Sequence, residues 1–182
     1  MSEQFLYTTP LDPRARPLLE GLSFEYDSRY GDVLREPGAP REIDRYPPEV
    51  FAPPHGNFVL LLRDGAAIGG GAFMRHDERT AELKRVWTRT DLRRQGLASK
   101  VLLELEAQVL RQGYERIYLT TGFRQPEAVG LYRGHGYTAL FEEAVDPETP
   151  RKLPFEKHFA AQQQQQHHCA RPAAALTEAA QR

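Results

Sequence analysis

The run "RRQGLAS", Arg93 to Ser99, joins a strand-like segment to a helix-like one. The first N–H groups of a helix have no partner within it, and the helix dipole adds partial positive charge at the same end. Gly96 brings no Cβ to an approaching anion, Ala98 stays small, and Arg93 and Arg94 add mobile positive charge at the rim. Arg93, Arg94, Gln95, Gly96, Leu97, Ala98 and Ser99 therefore read as a cradle for phosphate or pyrophosphate. A plain helix start with solvated arginines would use the same letters, so the flanking residues must decide. Upstream, Glu82 lies on the strand-like run "TAELKRVWT". Downstream, "QPEAVGLYRGHGY" carries Ala128, Tyr132 and Gly136-Tyr137.

The elements that must hold these residues can be read from the pattern. "QFLYTT" reads as a first strand. "DPRARPLLEGLSFEYDSRYGD" places Leu18, Leu19, Leu22 and Tyr26 at roughly helical spacing, which predicts one or two short helices ending near Gly31, with Pro17 in a first turn. A Pro- and Gly-rich loop follows. "NFVLLLRDGAAIGGGAFMRH" is two apolar runs around Asp64-Gly65, a hairpin signal, and Thr80 to Thr88 is a third run of strand type. Ala98, Val101, Leu102, Leu105 and Val109 form the stripe of an amphipathic helix that Gly113 would cap. "ERIYLTTG" is a strand and "QPEAVGLYRGHG" a short helix with Pro126 in its first turn. "YTALF" and "LPFEKHF" close as strands. The order is that of a mixed α/β layer.

Composition narrows the class. The chain has 182 residues, 40% of them hydrophobic, which suits one domain. A formal net charge of -1 argues against nucleic acid or an anionic membrane as partner, so any phosphate binding must be local. A single cysteine, Cys169, forms no disulfide within the chain and suits a reducing cytoplasm. The N-terminus lacks a signal-peptide pattern, and no apolar run is long enough to span a bilayer. The expectation is a soluble cytoplasmic domain over 1–159 and a low-complexity tail over 160–182.

Taken together, these residues resemble the GNAT acyltransferase superfamily. Its pyrophosphate motif R/Q-x-x-G-x-G/A is matched by Arg93, Gly96 and Ala98. Its later motif, N-x-x-A-x-x-x-Y-x-x-x-G-F, is matched by Ala128, Tyr132 and Gly136. "AELKRVWT" is similar to the strand E-[IL]-K-R-[LM]-[YW]-V of one broad branch. The likeness runs from about Asn57 to Phe141. Departures are Gln125 in place of asparagine, Tyr137 in place of phenylalanine, Thr88 in place of valine, and Thr90 in place of proline.

The resemblance implies a mostly antiparallel sheet of about seven strands, flanked by about four helices, with splayed middle strands. It implies acetyl-CoA as co-substrate, no metal, and transfer of the acetyl group to a primary amine of a small molecule or peptide in a ternary complex. Pantetheine would lie in the splay and bond the backbone of Val86, Trp87 and Thr88, as an added strand would. The amides from Arg94 to Ser99 would take the pyrophosphate, with Gln125 a further cofactor contact. Tyr132 would protonate the leaving thiolate. Glu82 would draw a proton from the incoming amine, since amines arrive protonated at neutral pH. Strand alternation places Glu82, Lys84, Val86 and Thr88 on one face. A backbone N–H near Val86 would stabilise the oxyanion. The chain would act as a monomer or homodimer.

Other signals are weaker. Gly69-Gly70-Gly71 lacks phosphate-loop spacing and marks a bulge or room for substrate. His167-His168-Cys169 has no second cluster to complete a metal site. The acceptor would be shaped by "FEYDSRYGD" and the loop after it. Glu25 and Asp27 are candidates to attract an amine, and Arg29 or Arg75 to hold a carboxylate. A non-catalytic acyl-CoA-binding module on the same fold is the alternative.

Overall fold

The computed structural model describes residues 2–35 and 37–159. The strands are β1 (Glu3–Thr8), β2 (Asn57–Arg63), β3 (Ala66–Arg75), β4 (Thr80–Thr88), β5 (Arg116–Gly122), β6 (Thr138–Ala139) and β7 (Lys152–His158). They form a seven-stranded sheet in the order β1-β2-β3-β4-β5-β7-β6. Every neighbouring pair is antiparallel except β4 and β5, which run parallel. The α-helices are α1 (Arg16–Tyr30), α2 (Leu97–Arg111) and α3 (Pro126–Gly134). Among the described residues there are also four 3-10 segments, including Glu42–Asp44 and Pro48–Phe51. The N-terminal stretch expected as one or two helices is a single α-helix with proline in its first turn.

The turn chemistry explains several of these boundaries. Asp64 and Gly65 both have positive φ, at 50° and 83°. Two left-handed residues in succession give the tight connection that matches strand twist in a hairpin. α2 is followed by Gly113, with φ 87°, where a side chain would crowd the preceding carbonyl.

The sheet is covered on both faces. Leu18 and Leu22 of α1, with Phe51, pack on Phe58, Leu60, Ala72 and Trp87. On the other face, Val101, Leu102, Leu105 and Val109 of α2 meet Val59, Leu61, Phe73 and Leu83. Tyr132 of α3 and Phe155 of β7 extend this second core, with ring centroids 5.6 Å apart. The glycine run of β3 serves this sandwich. A Cβ on Gly70 would stand 2.7 Å from Leu18 Cδ1, and one on Gly71 2.8 Å from Leu105 Cδ1. These glycines let both helices sit close to β3 and leave no room there for a substrate.

Candidate active site

β4 and β5 pair only at Thr80–Arg116, Ala81–Ile117 and Glu82–Tyr118. Beyond these residues no ladder joins them, so the two strands part toward their C-terminal ends. A bulge on β4 lies just past the last pair. Ala72 opposes Lys84 and Gly70 opposes Trp87, which leaves Arg85 and Val86 sharing the place opposite Gly71. Arg85 has φ 59°, a left-handed conformation costly for a residue with a Cβ. A bulge bends and twists the strand that carries it.

The bulge also reverses the alternation, and this corrects the expected common face of Glu82, Lys84, Val86 and Thr88. Cross-strand partners point to the same face. Glu82 opposite Met74, Lys84 opposite Ala72 and Trp87 opposite Gly70 therefore face α1. Val86 packs against the core on the α2 side. Thr88 opposes Gly69, where a Cβ would meet Val101 of α2 at 3.2 Å. Trp87 is core, 6% exposed, and a Cβ on Gly21 of α1 would stand 2.5 Å from its Nε1. What Trp87 can offer a ligand in the splay is backbone only.

The start of α2 forms as expected. Gly96 is its N-cap at φ 76° with no side-chain cap bond. Lys100 N–H donates to the Gly96 carbonyl at 3.0 Å, so the N–H groups of Leu97, Ala98 and Ser99 have no acceptor within the helix. No atom would meet a Cβ on Gly96 within 4 Å, and the turn Arg93–Gly96 is exposed. Arg94 is left-handed at φ 61°. Such a turn ahead of open helix amides suits an anion. The side chains are partly committed. Arg93 donates to Glu25 of α1 at 3.0 Å, and Ser99 Oγ lies 2.9 Å from His135 Nε2. The Leu97 side chain is buried in the core.

Between α1, β4, β5 and α3 lies a cavity of about 170 Å³. It exists because the strands part, and so it draws on both faces of the sheet. Tyr26 and Tyr30 of α1 line it together with Val86 of β4, Gln125, and Ala128 and Tyr132 of α3. Tyr132 is 7% exposed, with its ring 5.5 Å from that of Tyr137. Burial pushes its phenol above the ordinary tyrosine range, so it keeps its proton. The Tyr26 phenol is raised as well, by burial and then by the charge of Glu42. Burial raises that of Tyr30 to about 12. The Tyr30 hydroxyl is buried with no hydrogen-bond partner among the described residues. It stands where a Cβ on Gly122 would fall, so the end of β5 must be glycine for α1 to close over it. Arg29 and Arg124 each donate to the other's carbonyl, at 2.6 and 2.9 Å, and tie the end of α1 to the turn before α3.

The remaining candidates fall in different places. Gln125 lines the cavity, but its Oε1 accepts from Thr121 Oγ1 at 2.9 Å and Gly122 N–H at 3.1 Å. Its carbonyl thus closes the turn, and only its amide nitrogen is left to reach a ligand. Glu82 does not line the cavity. Its carboxylate holds Lys84 at 2.8 Å and lies 3.5 Å from His76 Nδ1. Burial alone would lower the Lys84 ammonium, but Glu82 and the charge of Glu42 outweigh it and raise the pKa. Glu25 is committed to Arg29 and Arg93, at 2.9 and 3.0 Å. Arg29 is held by Glu25 and Glu127, and Arg75 lies 3.9 Å from Glu78. Asp27 does line the cavity. The residue not foreseen is Arg85. The strand motif has an arginine at this place, but nothing in an alternating pattern marks the bulge that carries it. The His167-His168-Cys169 motif lies outside the described residues. Among the described residues no helix is long and apolar enough to cross a membrane.

Comparison with known proteins identifies the family and the fold. The sequence model of the acetyltransferase (GNAT) family matches residues 19–137, more than half of the chain. The chain belongs to the GNAT acetyltransferase family. No curated protein matches the sequence. Solved structures share the fold at low identity. A GNAT-family acetyltransferase from Staphylococcus aureus superposes with a TM-score of 0.67 at 14% identity, over 87% of this chain and 100% of that one. The PaiA N-acetyltransferase of Thermoplasma acidophilum, solved with coenzyme A, gives 0.66 at 16% identity, over 87% and 100%. A GNAT-family acetyltransferase from Elizabethkingia anophelis with acetyl-CoA bound gives 0.57 at 13%, over 86% and 98%.

Proposed function

We propose that the protein transfers the acetyl group of acetyl-CoA to a primary amine held in the cavity between α1, β4 and β5. The observation that carries this reading is the juxtaposition of a parted parallel strand pair, open amides at the start of α2, and a buried protonated phenol, Tyr132. The amides of Leu97, Ala98 and Ser99 and the turn Arg93–Gly96 would hold the diphosphate. The edge of β4 at Val86, Trp87 and Thr88 supplies backbone groups for the pantetheine arm. The relatives solved with coenzyme A or acetyl-CoA share this fold and support that cofactor class.

The chain's own groups then do three things. They hold the two reactants side by side, which removes much of the entropic barrier. The Tyr132 hydroxyl gives a proton to the departing sulfur, a role its raised pKa preserves well into alkaline conditions. A proton must also leave the acceptor ammonium. Glu82 is the proposed sink, reached over Lys84, with which it shares an ion pair at 2.8 Å. The backbone N–H at Val86 is the proposed oxyanion donor.

The test is thiol release from acetyl-CoA in the presence of a panel of primary amines. Turnover on at least one amine, lost in Tyr132→Phe with acetyl-CoA binding retained, supports the reading. Binding of acetyl-CoA with no turnover on any amine favours a non-catalytic acyl-CoA-binding module instead.

A further inference from the structure

The cavity is rich in charge, and the charge is unequal. Six of its lining residues are Lys or Arg and two are Asp or Glu. Most of the cations are already matched. Arg35 pairs with Asp32, and Arg41 with Asp44 at 2.8 Å. Arg45 lies 3.5 Å from Glu42, and Lys84 2.8 Å from Glu82 and 3.6 Å from Glu42. The nearby anions Glu42 and Asp44 are thus committed to other cations. Lys152 is exposed. That leaves Arg85.

Arg85 is 7% exposed and forms no ion pair among the described residues. Its guanidinium sits over the Phe51 ring at 4.5 Å and donates from Nη2 to the Ile43 carbonyl at 3.0 Å. A guanidinium carries five N–H donors, and the other donors have no protein acceptor among the described residues. Burial lowers its pKa, with Glu42 the largest opposing influence. A buried cation without an anion is costly to keep. It also occupies a left-handed backbone position in a strand, where Gly or Asn would sit at lower cost. Strained positions held in this way gather at ligand sites. Tyr30, elsewhere on the same cavity lining, has a buried hydroxyl with no partner among the described residues.

We propose that Arg85 is the carboxylate-binding residue of the acceptor site, and that the acceptor is a small amine carrying a carboxylate, as an amino acid does. This rests on reading the cavity as the acceptor site. A carboxylate accepts the paired donors that the guanidinium leaves open, and it neutralises the one unmatched buried charge among the described residues. The same surplus disfavours polycationic acceptors, whose added charges would meet Lys84 and Arg85. Asp27 is exposed at the cavity wall with no ion-pair partner among the described residues, which suits steering of the ammonium end.

The experiment is calorimetric titration of the coenzyme A complex with amino acids as free acids, as carboxamides, and as the decarboxylated amines. Binding of acetyl-CoA itself is measured first. The free acids are expected to bind roughly 10- to 100-fold more tightly than their amides, the range for a charge-assisted hydrogen bond. Arg85→Met should erase that preference and leave acetyl-CoA affinity unchanged, whereas Arg85→Lys should keep part of it. If acetyl-CoA binds normally and no acid in the panel binds more tightly than its amide, the assignment of Arg85 fails and the transferase reading survives. If acetyl-CoA does not bind at all, the transferase reading fails with it. If Arg85→Met does not fold, the acid–amide comparison in the unaltered protein can still overturn the assignment, and the partial loss of preference in Arg85→Lys can still support it.

Discussion

The start of α2 and the cavity beneath α1 are built by opposite means. The first is one short run, Arg93 to Ser99, exposed and made largely of backbone groups. The second gathers side chains from α1, the loop at Glu42–Arg45, the bulge of β4, the end of β5 and α3. A backbone site of this kind recognises what many ligands share, such as a diphosphate. A side-chain site recognises what distinguishes one ligand from another. The contrast supports the proposal that the cofactor is held at the first region and the acceptor is chosen at the second. Variants of one should leave the function of the other intact.

The largest expected effect tests the point where the two regions meet. Tyr132→Phe should lower kcat by about 10²- to 10⁴-fold, the usual contribution of a general acid, with acetyl-CoA affinity changed little. Because burial raises the phenol above the ordinary tyrosine range, the rate in the unaltered protein should rise with pH as the acceptor amine loses its proton. It should show no fall near pH 10, where an ordinary tyrosine would lose its proton. A descending limb centred there would mean that the proton donor titrates as an ordinary tyrosine, against the burial of Tyr132.

Next comes Gly96→Glu. A carboxylate placed about 4 Å from a phosphate costs about 4 kcal/mol at an effective dielectric of about 20. Acetyl-CoA affinity should therefore fall at least about 100-fold by calorimetry, with the acid–amide preference of the acceptor unchanged where saturation is reached. No atom lies within 4 Å of the added Cβ, but the left-handed φ of Gly96 makes any side chain there cost about 1–2 kcal/mol of backbone strain, so a cooperative melt must accompany the measurement.

A smaller effect sharpens the role of Glu82. As the proton sink, Glu82→Gln should lower kcat/KM about tenfold near neutral pH and less at alkaline pH, where the amine deprotonates unaided. An equal loss at every pH would mean that Glu82 only holds Lys84. The smallest effect concerns the Tyr30 hydroxyl, which is buried and unpartnered among the described residues. Tyr30→Phe removes a desolvated group that makes no bond, so stability should change by less than about 0.5 kcal/mol or rise slightly. A loss of about 1 kcal/mol or more in denaturant titration would show that this hydroxyl has a partner in solution.

The same contrast accounts for what could be read in the letters. The hairpin at Asp64-Gly65, the strand over Thr80–Thr88, the stripe of α2 and the proline start of α3 each depend on residues near in sequence, and each is present. So does the start of α2, with Gly96 left-handed at its N-cap. The face assigned to Val86 and Thr88 failed because a bulge is a property of two strands together. Arg85 takes its extra place only because Gly70 and Ala72 pair across it. Lys84 remained a local ion pair with Glu82, as its spacing allowed. Arg85 was invisible as a ligand group, since its burial and lack of an anion depend on Phe51 and Ile43, far from it in the chain. The N-terminal segment around Tyr26, Asp27 and Tyr30, expected to shape the acceptor site, does line the cavity, but which of its charges were free could not be read. Glu25 and Arg29 bind each other.

The division between the two regions is tested most directly by a crystal structure of the protein with acetyl-CoA. The account predicts a diphosphate oxygen within about 3 Å of the N–H groups of Leu97, Ala98 and Ser99, the distance of a good hydrogen bond. It predicts the thioester sulfur beside the Tyr132 hydroxyl, with the cavity at Arg85 still open. A diphosphate seated elsewhere, or an acyl arm that fills the space around Arg85, would contradict it.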